Sequence, residues 1–147
     1  MSEWQASVGY LLESNFPRVA LFALRHLGEL VLKRIVAEVT GEVVGKEHDL
    51  AEILELLPPD DPLRASEDEV ERSIRGFVAD ISRWDPRSTA ARYAFGFDGS
   101  RSLEDAPCLD AEGMSEMAEV LWDYGLKRSA GWAERPPVEG EGDDIWA

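Results

Sequence analysis

The residues best suited to acid–base chemistry lie in the segment 21–57, LFALRHLGELVLKRIVAEVTGEVVGKEHDLAEILELL. It contains both histidines of the chain, His26 and His48, each beside charged neighbours. An imidazole titrates near neutrality, so either histidine can serve as a general acid or base, with Arg25 stabilising a phosphate anion. The structural alternative makes His26 an interhelical hydrogen-bonding residue and places the Asp49 carboxylate at the free N–H groups of a helix start. The residues alone leave both alternatives open.

These side chains depend on one long helix for their positions. With about 100° between successive residues, the apolar side chains of this helix cover an arc of well over 100°. They are Leu21, Leu24, Leu27, Val31, Leu32, Ile35 and Val39. The opposite, narrower stripe contains Arg18, Phe22, Arg25, His26, Glu29 and Lys33. A helix apolar over so much of its girth is typical of the centre of a bundle, so its polar stripe faces solvent or a partly buried groove.

The charges of the polar stripe are spaced for pairing along the helix. Arg25–Glu29 and Glu29–Lys33 are both i,i+4 pairs, worth a few tenths of a kcal/mol each when exposed. If they are buried they need complete pairing, because a lone buried charge costs several kcal/mol. We therefore treat Glu29 and Lys33 as part of a polar seam that binds a ligand or ties the bundle together.

The rest of the chain predicts a mostly α-helical domain over residues 1–131. The long helix begins after Asn15 and ends at Thr40, with Gly41 as its C-cap. A short helix is expected near Trp4, and a second major helix starts near Asp49 and ends before PPDDP. A third opens with a capping box of Ser66 and Glu69 and buries an apolar stripe. That stripe is Val70, Ile74, Phe77, Val78, Ile81 and Trp84.

The last third of the chain is more varied. Alternating aromatics around Asp98-Gly99 predict a short β-hairpin insertion at about 92–110. A final helix follows, with Met114, Met117, Leu121, Trp122 and Leu126 at helical spacing. Residues 132–147 form an acidic, Pro- and Gly-rich tail that we expect to be disordered; its Ile145 and Trp146 suit a docking peptide.

Composition excludes several classes of function. Thirty acidic and 15 basic side chains produce a formal net charge of −15. This charge disfavours RNA as a ligand and suits a basic protein partner. A need for solubility would explain the same charge. No run of about 20 apolar residues predicts a membrane span, and the acidic start lacks the basic region of a secretory signal. The single cysteine, Cys108, fits a reducing cytoplasm. No metal-binding or cofactor motif occurs, so we expect no metal and no cofactor.

Three motifs resemble the HEPN-like proteins of prokaryotes: ALRHLGELVLKRIV, then HDLAEILELL, then DPRSTAARYAFGFDGS. The resemblance covers residues 21–99 and places Arg25, His26 and Glu29 on the family's "RH..E" helix, His48 and Asp49 on "HDL", and Arg92 and Tyr93 on "RY". It implies a helical bundle, often dimeric, in which Asp49, Arg92 and Tyr93 join Glu29 and Lys33 in the polar seam that ties the two helices and the hairpin together. Family members include metal-independent ribonucleases, components of phage-defence and toxin–antitoxin systems, and non-catalytic binders of RNA or protein.

The chain departs from the active ribonucleases of that family. Those enzymes have four to six residues between a catalytic arginine and histidine, whereas here seven separate Arg18 from His26 and thirteen separate Arg34 from His48. The resemblance therefore favours a non-catalytic HEPN-like binding or assembly protein acting through a protein partner or a homodimer. The first alternative is a ribonuclease with a rearranged site at Arg25, His26 and His48. The second is an acidic decoy that binds a basic protein.

Overall fold

A computed structural model describes residues 17–85, residue 87 and residues 111–129, which form an all-α arrangement. In chain order the helices are α1 (Pro17–Thr40), α2 (Leu50–Glu55), α3 (Pro62–Ala65), α4 (Glu69–Trp84) and α5 (Ala111–Arg128). No strand occurs within these ranges. The predicted hairpin at 92–110, the short helix near Trp4 and the acidic tail at 132–147 all lie outside the described residues.

Helix α1 has the bounds that the sequence predicts. Six of the seven apolar positions of its predicted arc are buried, whereas Val39 is 41% exposed, because residues 38–43 are all exposed and the last turn of α1 projects from the bundle. Gly41 ends the helix with a φ of 76°, and its N–H donates to the carbonyl of Ala37 at 2.9 Å. Only glycine adopts that left-handed conformation without strain, so the C-cap prediction is confirmed.

Two short helices follow, of which the sequence predicted only the first. Asp49 is the N-cap of α2, and its Oδ1 accepts the backbone N–H of Ala51 at 2.9 Å, as expected. Helix α3 falls where PPDDP predicted only a stop. There Asp61 accepts the N–H of Leu63 at 2.9 Å, and Pro62 occupies the first helical position, where its missing N–H has no cost.

Helix α4 corrects two predictions. Its N-cap is Asp68 rather than Ser66, and the Ser66 hydroxyl accepts the N–H of Asp68 at 3.1 Å instead of forming a capping box with Glu69. Val70, predicted to face the core, is 44% exposed because the whole stretch 67–70 is exposed and the first turn of α4 extends past its neighbours. The later positions of the stripe are buried as predicted, with Trp84 partly buried.

The core forms where α1 packs along α5 and against α2, while α4 contacts α2, α3 and α5. Gly28 allows a close approach on α1, since a Cβ there would lie 2.9 Å from Cε1 of Phe77 on α4. Met114 and Leu121 of α5 are buried in this core, as expected from their spacing. None of the described helices combines the length and apolar character needed to cross a membrane.

Candidate functional site

The polar stripe of α1 is buried around Arg25, whose side chain is only 1% exposed. Its Nη1 donates to Oε2 of Glu29 at 2.9 Å, and its Nη2 donates to the backbone carbonyl of His48. Its Nε donates to the carbonyl of Asp85 at 3.3 Å, with Oδ2 of that residue at 3.9 Å. One guanidinium thus joins the middle of α1, the loop before α2 and the C-terminal end of α4.

Glu29 is the second buried member of this cluster, with a side chain 7% exposed. Besides Arg25, its Oε1 lies 2.9 Å from Nζ of Lys33 and 2.9 Å from Nδ1 of His48. Burial alone would raise the pKa of Glu29, but hydrogen bonds from Lys33, His48 and Arg25 outweigh it and lower the pKa to about 2. Glu29 is therefore an anion at every physiological pH.

His48 brings the cluster to the surface. Its side chain is 56% exposed while Nδ1 contacts the Glu29 carboxylate, so Nε2 is the ring nitrogen left for a ligand. Lys33 lies beside this pair, 17% exposed, and its Nζ also donates to the Gly45 carbonyl at 3.1 Å. A carboxylate that orients an imidazole next to an ammonium group is able to move a proton and to hold an anion. We call Glu29, Lys33 and His48 the surface triad.

Asp49 has a positioning role next to the triad. In addition to capping α2, its Oδ1 accepts the hydroxyl of Ser82 at 2.6 Å, which ties the start of α2 to α4. The Glu47 carboxylate accepts the backbone N–H groups of Asp49 and His48 at 2.8 and 2.9 Å, and these bonds lower the pKa of Glu47. The loop that presents the imidazole is therefore held at both of its flanks.

His26 follows Arg25 in the sequence, and its ring contacts a residue of the same helix. The ring is half-buried and stacks on Phe22, with centroids 6.2 Å apart and planes 9° apart. Successive residues differ by about 100° around the helix, so the side chain of His26 leaves α1 in a different direction from that of Arg25. The structure therefore brings together Arg25, Glu29, Lys33, His48 and Asp49, whereas Arg92 and Tyr93 lie outside the described residues.

Two members of the cluster were not expected from the sequence. Ser82 and Asp85 lie 33 and 60 residues from their partners Asp49 and Arg25. The pair Asp85-Pro86 does signal a helix end, because a residue before proline disfavours the helical conformation. No local pattern indicates that the carbonyl exposed at that helix end accepts a bond from α1.

A second polar contact ties α3 to α5. Arg128 Nη2 lies 2.6 Å from Oδ2 of Asp61, whose side chain is 4% exposed, and the guanidinium lies 6.0 Å from the ring centroid of Tyr124. Burial raises the pKa of Tyr124 to about 12. Because Asp61 is buried and also caps α3, we assign this contact a structural role.

No three His, Cys, Asp or Glu side chains are grouped to hold a metal ion in the parts of the chain that the structure describes. Comparisons with protein-family models, with curated proteins and with solved structures find no match to this chain.

Proposed function

We propose that the chain is a non-catalytic HEPN-like binding and assembly protein that recognises a basic surface on a protein partner. The observation that carries this proposal is the internal use of Arg25. All three of its guanidinium nitrogens donate to acceptors within the fold, and the side chain is 1% exposed. A phosphate-binding arginine must present free N–H groups to its ligand, so we assign Arg25 a structural role.

The surface charge supports a basic partner. Among the side chains that the structure describes, thirteen exposed residues are acidic and five are basic. Four of the acidic residues follow one another along α5 at spacings of four, three and four, which places them on one face of that helix. We call these four residues, Glu112, Glu116, Glu119 and Asp123, the acidic stripe. Such a surface repels the phosphates of nucleic acid and attracts a cationic protein.

The resemblance to HEPN-like proteins supports a role for this binding in a bacterial phage-defence or toxin–antitoxin system, where the chain would act as a homodimer or with a second protein. An acidic decoy is one form of the same activity, in which the partner's basic surface is a groove that normally holds nucleic acid. In each case the attraction is electrostatic and weakens as salt is added.

The proposal is tested by measuring fluorescence anisotropy of a labelled oligolysine and a labelled RNA of equal length with the full chain. We expect the oligolysine to bind at about 50 mM salt and to dissociate at about 500 mM, and the RNA not to bind. Glu116→Lys/Glu119→Lys should weaken binding more than the control Glu42→Lys/Glu67→Lys, which changes the net charge equally. Preferred binding of RNA would refute the proposal, as would equal affinities of the two variants.

The surface triad supports ribonuclease activity as a second candidate function. Its specific observation is the exposed His48 ring held by Glu29, with Lys33 rather than the buried Arg25 as the accessible cation. Incubating an end-labelled RNA pool without metal tests this candidate directly. A ribonuclease of this kind cleaves the pool, loses cleavage in His48→Ala and keeps it in the control His26→Ala. If the folded wild-type chain does not cleave the RNA, the ribonuclease candidate fails and the binding function remains.

A further inference from the structure

A groove of about 350 Å³ lies between α4 and α5, with α1 at its base. Its apolar lining is formed by Leu24, Phe77, Ile81, Trp84, Met114 and Met117. This volume is at the lower end of the range for ligand sites, about 300–1,000 Å³, and is enough for one or two large apolar side chains. The two methionines supply flexible, polarisable walls that adapt to an apolar side chain of varied shape.

Gly76 keeps one wall of the groove open. It lines the groove from the interior of α4, where glycine is less favourable than alanine by about 1 kcal/mol. A Cβ at this position would meet no atom within 4 Å, so the packing of the described residues does not require glycine here. What Gly76 provides is width at the groove.

Charge selects the class of occupant. Asp80 places a carboxylate in the lining, and Glu116 of the acidic stripe is one turn from the lining residue Gly113. The guanidinium of Arg83 lies 5.4 Å from the ring centroid of the lining residue Trp84, so one cation is also present on the α4 side. The negative charge nearest the groove is therefore that of Asp80 and Glu116.

We propose that this groove docks an amphipathic helix of the basic partner, which inserts one or two large apolar side chains while its Lys or Arg residues face Asp80 and Glu116. This inference rests on the proposed function and adds where and how the basic partner binds. An amphipathic helix in an apolar groove gains affinity from its buried anchor side chains and specificity from the charges at the rim.

The probe is a fluorescein-labelled helical peptide of leucine and lysine, about 14 residues long, with its leucines on one face. Two matched peptides replace every lysine by glutamate or every leucine by glutamine. By anisotropy with the full chain, we expect the leucine–lysine peptide to bind at least about tenfold more tightly than the glutamine–lysine peptide, because only the former carries an anchor. The leucine–glutamate peptide should not bind.

Two pairs of variants locate the binding. Gly76→Phe places a ring in the groove from an open position and should weaken the leucine–lysine peptide about tenfold, whereas Ala79→Phe, exposed on the same helix but outside the lining, should not. Asp80→Lys should weaken it more than Glu67→Lys, an equal change of charge at the exposed start of α4. Thermal melts confirm that each variant folds.

The outcomes separate the groove from the wider proposal. If both lysine peptides bind equally and Gly76→Phe has no effect, the acidic surface alone attracts the peptide, and the groove proposal fails while the basic-partner function stands. If no lysine peptide binds at low salt, both fail. A lower melting temperature for Gly76→Phe together with no binding by the wild type would show that the chain itself fills the groove, which also overturns the inference.

Discussion

Glu29→Gln tests whether the buried cluster holds the bundle together. The substitution keeps the size of the side chain and one acceptor oxygen but removes the negative charge that faces Arg25, Lys33 and His48. Arg25, at 1% exposure, would then keep its bonds to two backbone carbonyls and the more distant Asp85 carboxylate, whose Oδ2 lies 3.9 Å from Nε. Removing the nearer of the two carboxylates that face a buried cation is unfavourable, so we expect the free energy of unfolding to fall.

The magnitude follows from the pKa of Glu29. Its fall from 4.5 to about 2 corresponds to roughly 3 kcal/mol, at about 1.36 kcal/mol for each unit of pKa. Because the pKa in the folded state lies below that of the unfolded chain, this contribution is complete above pH 4.5 and is lost as the pH falls towards 2. By about pH 3.5 roughly 1 kcal/mol of it has gone.

The assay is urea unfolding followed by the helical circular dichroism signal at pH 7 and pH 3.5, with a thermal melt at pH 7. We expect Glu29→Gln to lower the melting temperature by roughly 6–12 °C. Glu38→Gln on the same helix is the control, because its pair with Arg34 is at the surface and is worth about 0.3–0.5 kcal/mol. Equal stabilities of the two variants at pH 7 would refute the reasoning. So would a difference between wild type and Glu29→Gln that is unchanged at pH 3.5.

The remaining predictions concern the packing of the bundle and are checked by the same melts. Gly28→Ala should destabilise the fold by about 1–3 kcal/mol despite the better helix propensity of alanine, because its Cβ meets the Phe77 ring; wild-type stability would show that the ring moves aside. Gly76→Ala, whose Cβ meets open space, should stabilise the fold by about 0.5–1 kcal/mol, and a loss of stability would contradict the open geometry. Asp61→Asn keeps an oxygen that can cap α3 but removes the charge facing Arg128, and should lower the free energy of unfolding by about 1–3 kcal/mol. An unchanged stability would show that the Asp61–Arg128 pair contributes no more than an exposed ion pair does.

The sequence by itself determined the features that depend on neighbours within about one helical turn. The end of α1 at Gly41 and the cap of α2 at Asp49 arise from bonds to residues four and two positions away. The spacing of apolar residues along α1 likewise predicts which of its side chains are buried, except at Val39, where the last turn of the helix extends beyond the bundle. Before α4 both Ser66 and Asp68 are of residue types that cap helices, and the sequence pattern pointed to Ser66 whereas the N-cap is Asp68.

Only the tertiary structure decided what the polar residues do. The sequence left the stripe of α1 facing either solvent or a groove, and the fold buries Arg25 against carbonyls 23 and 60 residues away. A backbone carbonyl has the same chemistry at every residue, so no sequence pattern marks the one that a distant guanidinium will meet. The same long-range packing decides that the exposed His48 contacts Glu29, while the ring of His26 stacks on Phe22 of the same helix.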